Sequence, residues 1–478
     1  MAGGLRPRSW WVALALVAVL LAVGDRYGFH RDELYLVEAG RHPALAYPDQ
    51  PAVVPLLAAW WFDVVGGDLR RFRALPAAAA AVVVLVAGLT SRELGGGRRD
   101  QVWTAAVVAT ATTLLVAGHL FGTTVFDVAL TSLTVWLLVR AVRRAGAAAW
   151  LLAGAVAALA LTVKTLPLLV LGCCAVALLL AGPRTALRTP WPYLAAAVAS
   201  LGLVPTLLWQ AANGWPQLDM AAAIGEGGSG TSTERWTLPL LLPTLTGITF
   251  VLLLVGAVAL WRRRDLRWIT VAAALLVTLL VLTGGKPYYA FGLVPVLAAA
   301  GTAAVRRWQG GRRGRRLVLP VVVGLNAVAS AVIGLPVLAA SQAPVALVYD
   351  HGEQVGWPEY VATVAGAAAA TEAELVLTAN YGQAGALDLA RREGTSLPPV
   401  AGGHVGYWHW SRPAGEPQRV LVVGDVGAAQ DAFATCEPVA TVDNGAGVDN
   451  DERGTTVRLC DGLTGTWDAL WPRLRRAG

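Results

Sequence analysis

Apolar residues in this sequence come in blocks of about 16 to 24, separated by short polar stretches, and a block of that length wound as a helix matches the hydrocarbon core of a bilayer. The pattern excludes a soluble globular chain and predicts a polytopic α-helical membrane protein. Candidate spans cover roughly 10–24, 74–90, 102–119, 124–142, 148–163, 165–181, 191–209, 238–261, 268–284, 288–305 and 317–337, about eleven in all. The first follows a basic start, but no small-residue cleavage site of the A-x-A kind comes after it, so it reads as a retained helix rather than a signal peptide.

Charge sets the orientation. The formal charge of +7 does not indicate a nucleic-acid partner, because the arginines sit in short clusters between apolar blocks. With a cytoplasmic N-terminus, every inner loop is basic: Arg92, Arg98 and Arg99; Arg140, Arg143 and Arg144; Arg184 and Arg188; Arg262 to Arg267; Arg306 to Arg316. An odd number of spans then places the C-terminal part outside the cell. Only two of the 38 basic residues are lysines, Lys164 and Lys286, and both fall at outer turns. Snorkelling to the headgroups accounts for such lysines, and so does a point charge for a phosphate.

Between the first two long apolar runs, Asp25 to Pro55 concentrates charge and aromatics. HRDELYLVEAGRH at 30–42 has near-helical apolar spacing and predicts a short helix lying on the outer surface, with Asp32 and Glu33 in its first turn. Three prolines around Asp49 and Gln50 predict an extended turn, and Val53 to Val65 is too short to span. Asp127 falls at the outer end of a span, where an unpaired carboxylate is costly and marks a functional group or a helix-to-helix hydrogen bond. Trp209 and Gln210 open an outer loop with the stacking and amide chemistry that sugars use, although an aromatic belt explains the tryptophan equally well. The glycine-rich run at 225–233 reads as a loop able to close over a ligand. Tyr288 and Tyr289 follow Lys286 in GGKPYY as belt residues or ligand contacts.

The composition changes after about residue 338. AELVLTANYGQAGALDLARREG and RVLVVGDVGAAQDAFATC each read as strand, turn and helix, which predicts a water-soluble extracytoplasmic α/β domain over 338–478 behind a membrane domain over 1–337, whose first outer loop, 25–73, is the catalytic one. HVGYWHW at 404–410 offers aromatic surface to a ligand, and Cys436 and Cys460 flank the final strand pair as a candidate disulfide. The chain has no P-loop, H-E-x-x-H or serine elbow. Carboxylates and lysines on one side of the membrane suit a reaction between a lipid-linked phosphate and a polar acceptor.

At these residues the sequence resembles the GT-C glycosyltransferases, in particular bacterial relatives of the dolichyl-phosphate-mannose protein mannosyltransferases and of the lipid A aminoarabinose transferase. HRDELYLVEAGRH with YPDQPAVVPLLAAW carries the resemblance, supported by FDVALTSLTVWLL, LALTVKTLPLL, WQAANGWPQL, GGKPYYAFGLVPVLAAAG and NYGQAGALDL. The resemblance implies transfer of a sugar from a polyprenyl-phosphate carrier to a lipid, glycan or protein acceptor at the outer face of the cytoplasmic membrane. Asp32, with Glu33 beside it, would be the base and Asp127 an assisting carboxylate. Lys164, Lys286, Arg31, Tyr288 and Tyr289 are the candidates for the lipid phosphate, and His30, Gln50, Trp209 and Gln210 for substrate contact. Relatives follow the acidic residue of the proline-rich turn with lysine or histidine. This chain has Asp49 and then Gln50, a departure that leaves phosphate neutralisation to Lys164, Lys286 or the arginines; Asp49 is the candidate ligand should a divalent metal ion bind. A flippase for lipid-linked saccharides and a non-catalytic glycan-binding protein are the rivals; the sequence shows neither a repeat nor paired interrupted helices.

Overall fold

The computed structural model describes residues 9–144, 146–226, 237–310 and 313–476. The chain divides into two compact units: a helical unit of Met1–Gly24, Arg73–Leu208 and Ile224–Leu335, and an α/β unit of Asp25–Phe72, Trp209–Ala223 and Pro336–Gly478. Asp25–Phe72, read from sequence as part of the membrane domain, thus packs with the C-terminal residues.

Each apolar stretch read from the sequence is helical. Among the described residues, Leu69–Glu93, Thr123–Arg144, Pro287–Gln309 and Gly314–Gly334 are long and apolar enough to cross a membrane, and the number is seven if each of three bent pairs counts as one span. Ser9–Ala22, Ala147–Val163, Pro167–Ala181 and Arg267–Thr283 are shorter apolar helices. The helical unit has a core built around Val135, Val139, Trp268 and Leu276. Small residues bring helices into backbone contact: a side chain at Gly256 would meet Leu297 O at 2.0 Å, and one at Gly301 would meet Leu252 O at 1.8 Å.

At one end of this unit the buried carboxylate of Glu93 accepts both Nε and Nη2 of Arg144 at 2.9 Å, with Arg140 and Arg143 beside it, while Arg306 bonds Asp100 at 2.6 Å. Arginines from two separate basic stretches therefore meet acidic residues in and beside a third, 92–99, on one side.

The bent pairs correct the sequence reading, which found no interrupted helices. Arg98–Ala109 and Thr112–His119 meet at 65°, and Leu238–Leu245 and Gly247–Trp261 at 108°. One side chain holds both breaks: Asn326 donates to Thr110 O at 2.7 Å and accepts from Thr249 N–H at 3.4 Å. Backbone groups released by a break in an apolar environment need such a partner. Gly247, at φ +64°, supplies the left-handed turn of the sharper bend.

In the α/β unit, strands β1 (Leu375–Thr378), β2 (Val400–Gly402), β3 (Arg419–Val423), β4 (Phe433–Thr441) and β5 (Thr456–Leu463) form one sheet in the order β2-β1-β3-β5-β4. The first three are parallel, and β5 runs antiparallel to β3 and β4. Strand, turn and helix follow as expected for β1, whose helix Tyr381–Arg392 is N-capped by Asn380. The second such reading is corrected, because after β3 the chain makes only the 3₁₀ turn Gly427–Ala432 and goes directly into β4. Cys436 and Cys460, paired in the β4–β5 register, are disulfide-bonded. At a sequence separation of 24, the cross-link is worth about 3 kcal/mol in the chain-entropy picture.

HRDELYLVEAGRH does form a helix, Arg31–Arg41, but not one lying on a surface. Residues Glu33 through Ala39 are buried, and Leu34, Tyr35 and Ala39 share a core with Trp357, Tyr360, Leu387 and Leu421. Glycines make this possible. A side chain at Gly382 would meet the Arg31 Cβ at 2.6 Å, and one at Gly385 the Leu34 Cβ at 2.9 Å, so two glycines one turn apart give the helix its seat. Helix Val53–Val64 closes over the other side, with Pro55 O where a Gly40 side chain would stand.

Candidate active site

Within the α/β unit, helix Arg31–Arg41 starts with a full cap. The His30 imidazole accepts Asp32 N–H through Nδ1 at 3.1 Å, and Glu33 Oε2 accepts His30 N–H at 2.8 Å. Both side chains are buried. Glu33 thus holds the helix terminus, and His30, expected at the substrate, is held inside with its Nε2 3.4 Å from Asp350. Burial alone would lower the His30 pKa, but Asp32 and Asp350 outweigh it and hold the ring above its ordinary value.

Arg31, a candidate for the lipid phosphate, sits among carboxylates. Its Nη1 lies 3.0 Å from Glu353, whose side chain is 0% exposed, and 2.8 Å from Asp451, with Tyr349 at 3.3 Å. Two carboxylates already neutralise the guanidinium, leaving a lipid phosphate little to gain.

Asp32 points the other way. Its carboxylate is 52% exposed and accepts the Tyr381 hydroxyl at 2.7 Å, as a base reached from solvent requires. Asp49 accepts the Tyr35 hydroxyl at 2.8 Å. Burial, with a further contribution from the charge of Asp32, pushes the Asp49 carboxyl up to about 7. The extended YPDQP turn is present, closed by Tyr47 N–H on Gln50 O at 2.8 Å. Gln210, a candidate for substrate contact, donates to Tyr47 O at 3.1 Å and accepts Gln217 N–H at 3.0 Å, so it pins the turn. The buried Gln50 is part of the turn, and Trp209 packs on His409 at 5.5 Å. Sequence reasoning missed Tyr35 and Tyr381, the two hydroxyl donors. The glycine spacing in NYGQAG was the available signal for the second.

A raised carboxyl pKa ties stability to pH. Because folded Asp49 holds its proton to about 7 against an ordinary 3.8, its contribution is complete below pH 4 and is lost as the pH rises through 7. Glu452, held by Gln383 and Asn380 but buried and pushed up to about 7, acts in the same direction. Asp49→Asn should therefore raise the melting temperature at pH 8, by about 1–3 kcal/mol in stability, and change it little at pH 5. Equal shifts at both pH values in thermal melts would show that the buried charge is not responsible.

In the helical unit, Lys164 follows helix Ala147–Val163. Its ammonium reaches Thr124 Oγ1 at 3.3 Å and stands 5.5 and 5.9 Å from the ring centroids of Tyr288 and Tyr289. Asp127, buried one turn into Thr123–Arg144, accepts the Thr131 hydroxyl at 2.8 Å and feels the charge of Lys164. Lys286 precedes the 3₁₀ segment Pro287–Leu293 that carries both tyrosines. Four of the expected residues, Asp127, Lys164, Tyr288 and Tyr289, thus come together as a cation cradled by aromatics with a carboxylate nearby, suited to a phosphate. The glycine-rich run expected to close over a ligand lies, from residue 227 to 233, outside the described residues.

Metal chemistry does not fit what is present. Among the described residues no three His, Cys, Asp or Glu side chains converge on a common point, and Asp49 has a tyrosine hydroxyl on its carboxylate. No step is therefore derived through a metal ion.

Residues 49–209 match the model of the Dolichyl-phosphate-mannose-protein mannosyltransferase family. Among solved structures, apo ArnT from Cupriavidus metallidurans superposes with a TM-score of 0.60 at 14% identity, covering 94% of this chain and 97% of ArnT. The chain has a GT-C fold, like ArnT. A second ArnT structure from Cupriavidus metallidurans, bound to undecaprenyl phosphate, gives a TM-score of 0.54 at 15% identity with the same coverage. Comparison with curated proteins finds no match in sequence. The GT-C likeness takes in both units, while the mannosyltransferase match starts at Asp49 and extends to Trp209, so it includes Asp127 and Lys164 but not Asp32.

Proposed function

We propose that this membrane protein is a glycosyltransferase that takes a sugar from a polyprenyl-phosphate carrier. The convergence of two likenesses, the mannosyltransferase match over 49–209 and the ArnT fold over 94% of the chain, carries the reading. That ArnT was solved with undecaprenyl phosphate supports the same class of carrier here. In this reading all eleven apolar stretches cross the membrane, the N-terminus is cytoplasmic and the α/β unit is extracytoplasmic. The Cys436–Cys460 disulfide supports an oxidising compartment for that unit.

Lys164 and Lys286 hold the carrier phosphate, with Tyr288 and Tyr289 around Lys164. An acceptor hydroxyl oxygen attacks the anomeric carbon with inversion, its proton passes to a carboxylate base, and the bond from the anomeric carbon to the phosphate oxygen breaks, so that polyprenyl phosphate leaves with the electron pair.

The test is transfer of labelled sugar from a panel of undecaprenyl-phosphate sugars to membrane lipid and cell-wall extracts, with protein in lipid nanodiscs. Lys164→Gln should raise the KM for the donor about 10- to 100-fold, the loss of a charge-assisted contact. The bent helix pairs are a feature also used by transporters. Labelled lipid crossing the bilayer of matched proteoliposomes with no donor consumed would replace the transferase with a flippase.

A further inference from the structure

At the basic end of the helical unit, three helix ends bring guanidiniums together. Ala74–Glu93 stops at the buried Glu93, Thr123–Arg144 ends in Arg143 and Arg144, and Arg262, Arg263 and Arg264 follow Phe250–Trp261. Glu93 needs only one arginine, since Arg144 alone gives it two N–H bonds at 2.9 Å. Yet Arg140 stands 3.4 Å and Arg143 3.9 Å from the same carboxylate. Asp265 is shared in the same way, 3.1 Å from Arg263 and 3.7 Å from Arg143, and Arg263 also donates to Leu94 O at 3.4 Å.

Charge does not balance here. Arg140, Arg143, Arg144 and Arg263 share the carboxylates of Glu93 and Asp265, and the exposed Arg262 and Arg264 add to the excess. Like charges this close repel, and an anion from outside the protein offsets the repulsion. The guanidiniums are reachable: the Arg144 side chain is 56% exposed, and those of Arg140 and Arg263 are 38% exposed. Arg140 is steadied by the Trp136 ring, whose centroid lies 5.8 Å from its guanidinium carbon.

The surroundings decide which anion fits. Leu69–Glu93 and Thr123–Arg144 are long and apolar enough to cross a bilayer, and Gly247–Trp261 is half of a bent pair that also qualifies. In a bilayer the charged ends of these helices stand at headgroup depth. Along Phe250–Trp261, Val251, Leu254, Val258 and Trp261 are exposed at spacings of three and four residues, an apolar stripe that ends beside Arg262. An acyl chain lies along such a stripe while its phosphate meets the guanidinium forks. A nucleic acid or an acidic peptide would use the charges and leave the stripe uncovered.

We propose that this cluster binds an anionic phospholipid, the phosphodiester held by Arg140, Arg143 and Arg263 and an acyl chain lying on the stripe from Val251 to Trp261. Asp265 competes with the phosphate for Arg143 and Arg263. The site depends on the protein's place in a membrane and not on the transferase reading.

The experiment titrates full-length protein in detergent micelles with phosphatidylglycerol or phosphatidylcholine of identical acyl chains and counts bound lipid by native mass spectrometry. Wild type should bind phosphatidylglycerol at least tenfold more tightly, since each arginine near a lipid phosphate is worth about fivefold. Arg143→Gln combined with Arg263→Gln should remove most of that preference, while Arg144 remains to satisfy Glu93 and keep the fold. Asp265→Asn should tighten phosphatidylglycerol binding about fivefold, a gain that a misfolded variant cannot imitate. Arg98→Gln combined with Arg99→Gln, at exposed arginines outside the cluster, should change little. Equal affinity for the two lipids overturns the site, as does an undiminished preference in the folded Arg143 and Arg263 variant or no gain from Asp265→Asn. An equal loss in the Arg98 and Arg99 variant would overturn it too, replacing a built site with the diffuse attraction of a basic surface.

Discussion

Asp32→Asn should leave a folded, correctly inserted protein that transfers sugar at least 10²- to 10⁴-fold more slowly, the usual contribution of a positioned base. Of the carboxylates singled out in the α/β unit, Asp32 combines exposure with a single strong donor, the Tyr381 hydroxyl at 2.7 Å. Asparagine keeps the shape and can still accept that hydrogen bond through its carbonyl oxygen, but it cannot take a proton. Because His30 Nδ1 accepts the backbone N–H of Asp32, the helix cap survives the substitution. The measurement is single-turnover transfer in nanodiscs, with thermal melting as the control for folding. Wild-type turnover in a variant with an unchanged melting temperature would remove Asp32 from the chemistry.

Arg31→Met should act on stability with a comparably large effect. Glu353 is fully buried, and Arg31 stands 3.0 Å from it, so removing the guanidinium strands a carboxylate inside the protein and also releases Asp451. Breaking one partner of a buried pair costs about 3–5 kcal/mol, enough to abolish folding of many domains. Arg31→Met with Glu353→Gln in the same chain should recover much of the loss, since the stranded charge is then gone. Circular dichroism melts or limited proteolysis of single and double variants would measure the recovery. A double variant no more stable than the single one would mean that Arg31 acts through packing rather than charge.

The neighbouring positions 31 and 32 show how far the sequence could be read. Helical spacing located the segment, and Asp32 stood out because an acidic pair is rare in so apolar a chain. What assigns Arg31 to structure and Asp32 to solvent is partners 318 to 420 residues away, Tyr349, Tyr381 and Asp451, which no local pattern reveals. The capping bonds of Glu33 and His30 were hidden in the sequence for a related reason. Capping chemistry and catalytic chemistry use the same side chains, and only burial separates them. Gln210 and Trp209 carried a sugar-binding composition, yet the amide is consumed in holding Tyr47 and Gln217. By contrast, Lys164 and Asp127 were legible, because a charge in an apolar run has few tolerable surroundings. The helix bends were not, since no proline marks the break at Thr110, and the partner that stabilises it, Asn326, lies in another helix 216 residues on.

The seat that Gly382 and Gly385 make for helix Arg31–Arg41 has a consequence for biogenesis. At ordinary elongation rates of about 5–20 residues per second, the 349 residues that follow Asp32 up to and including Tyr381 take roughly 20–70 s to synthesise. Throughout that interval the apolar face bearing Leu34, Tyr35 and Ala39 waits without its partner strands, while later segments are still being threaded into the bilayer. A nascent chain stalled before residue 375 would present that face to chaperones and proteases. Quality control can therefore recognise an unfinished molecule by its first polar loop, long before any missing C-terminal residue is itself detected.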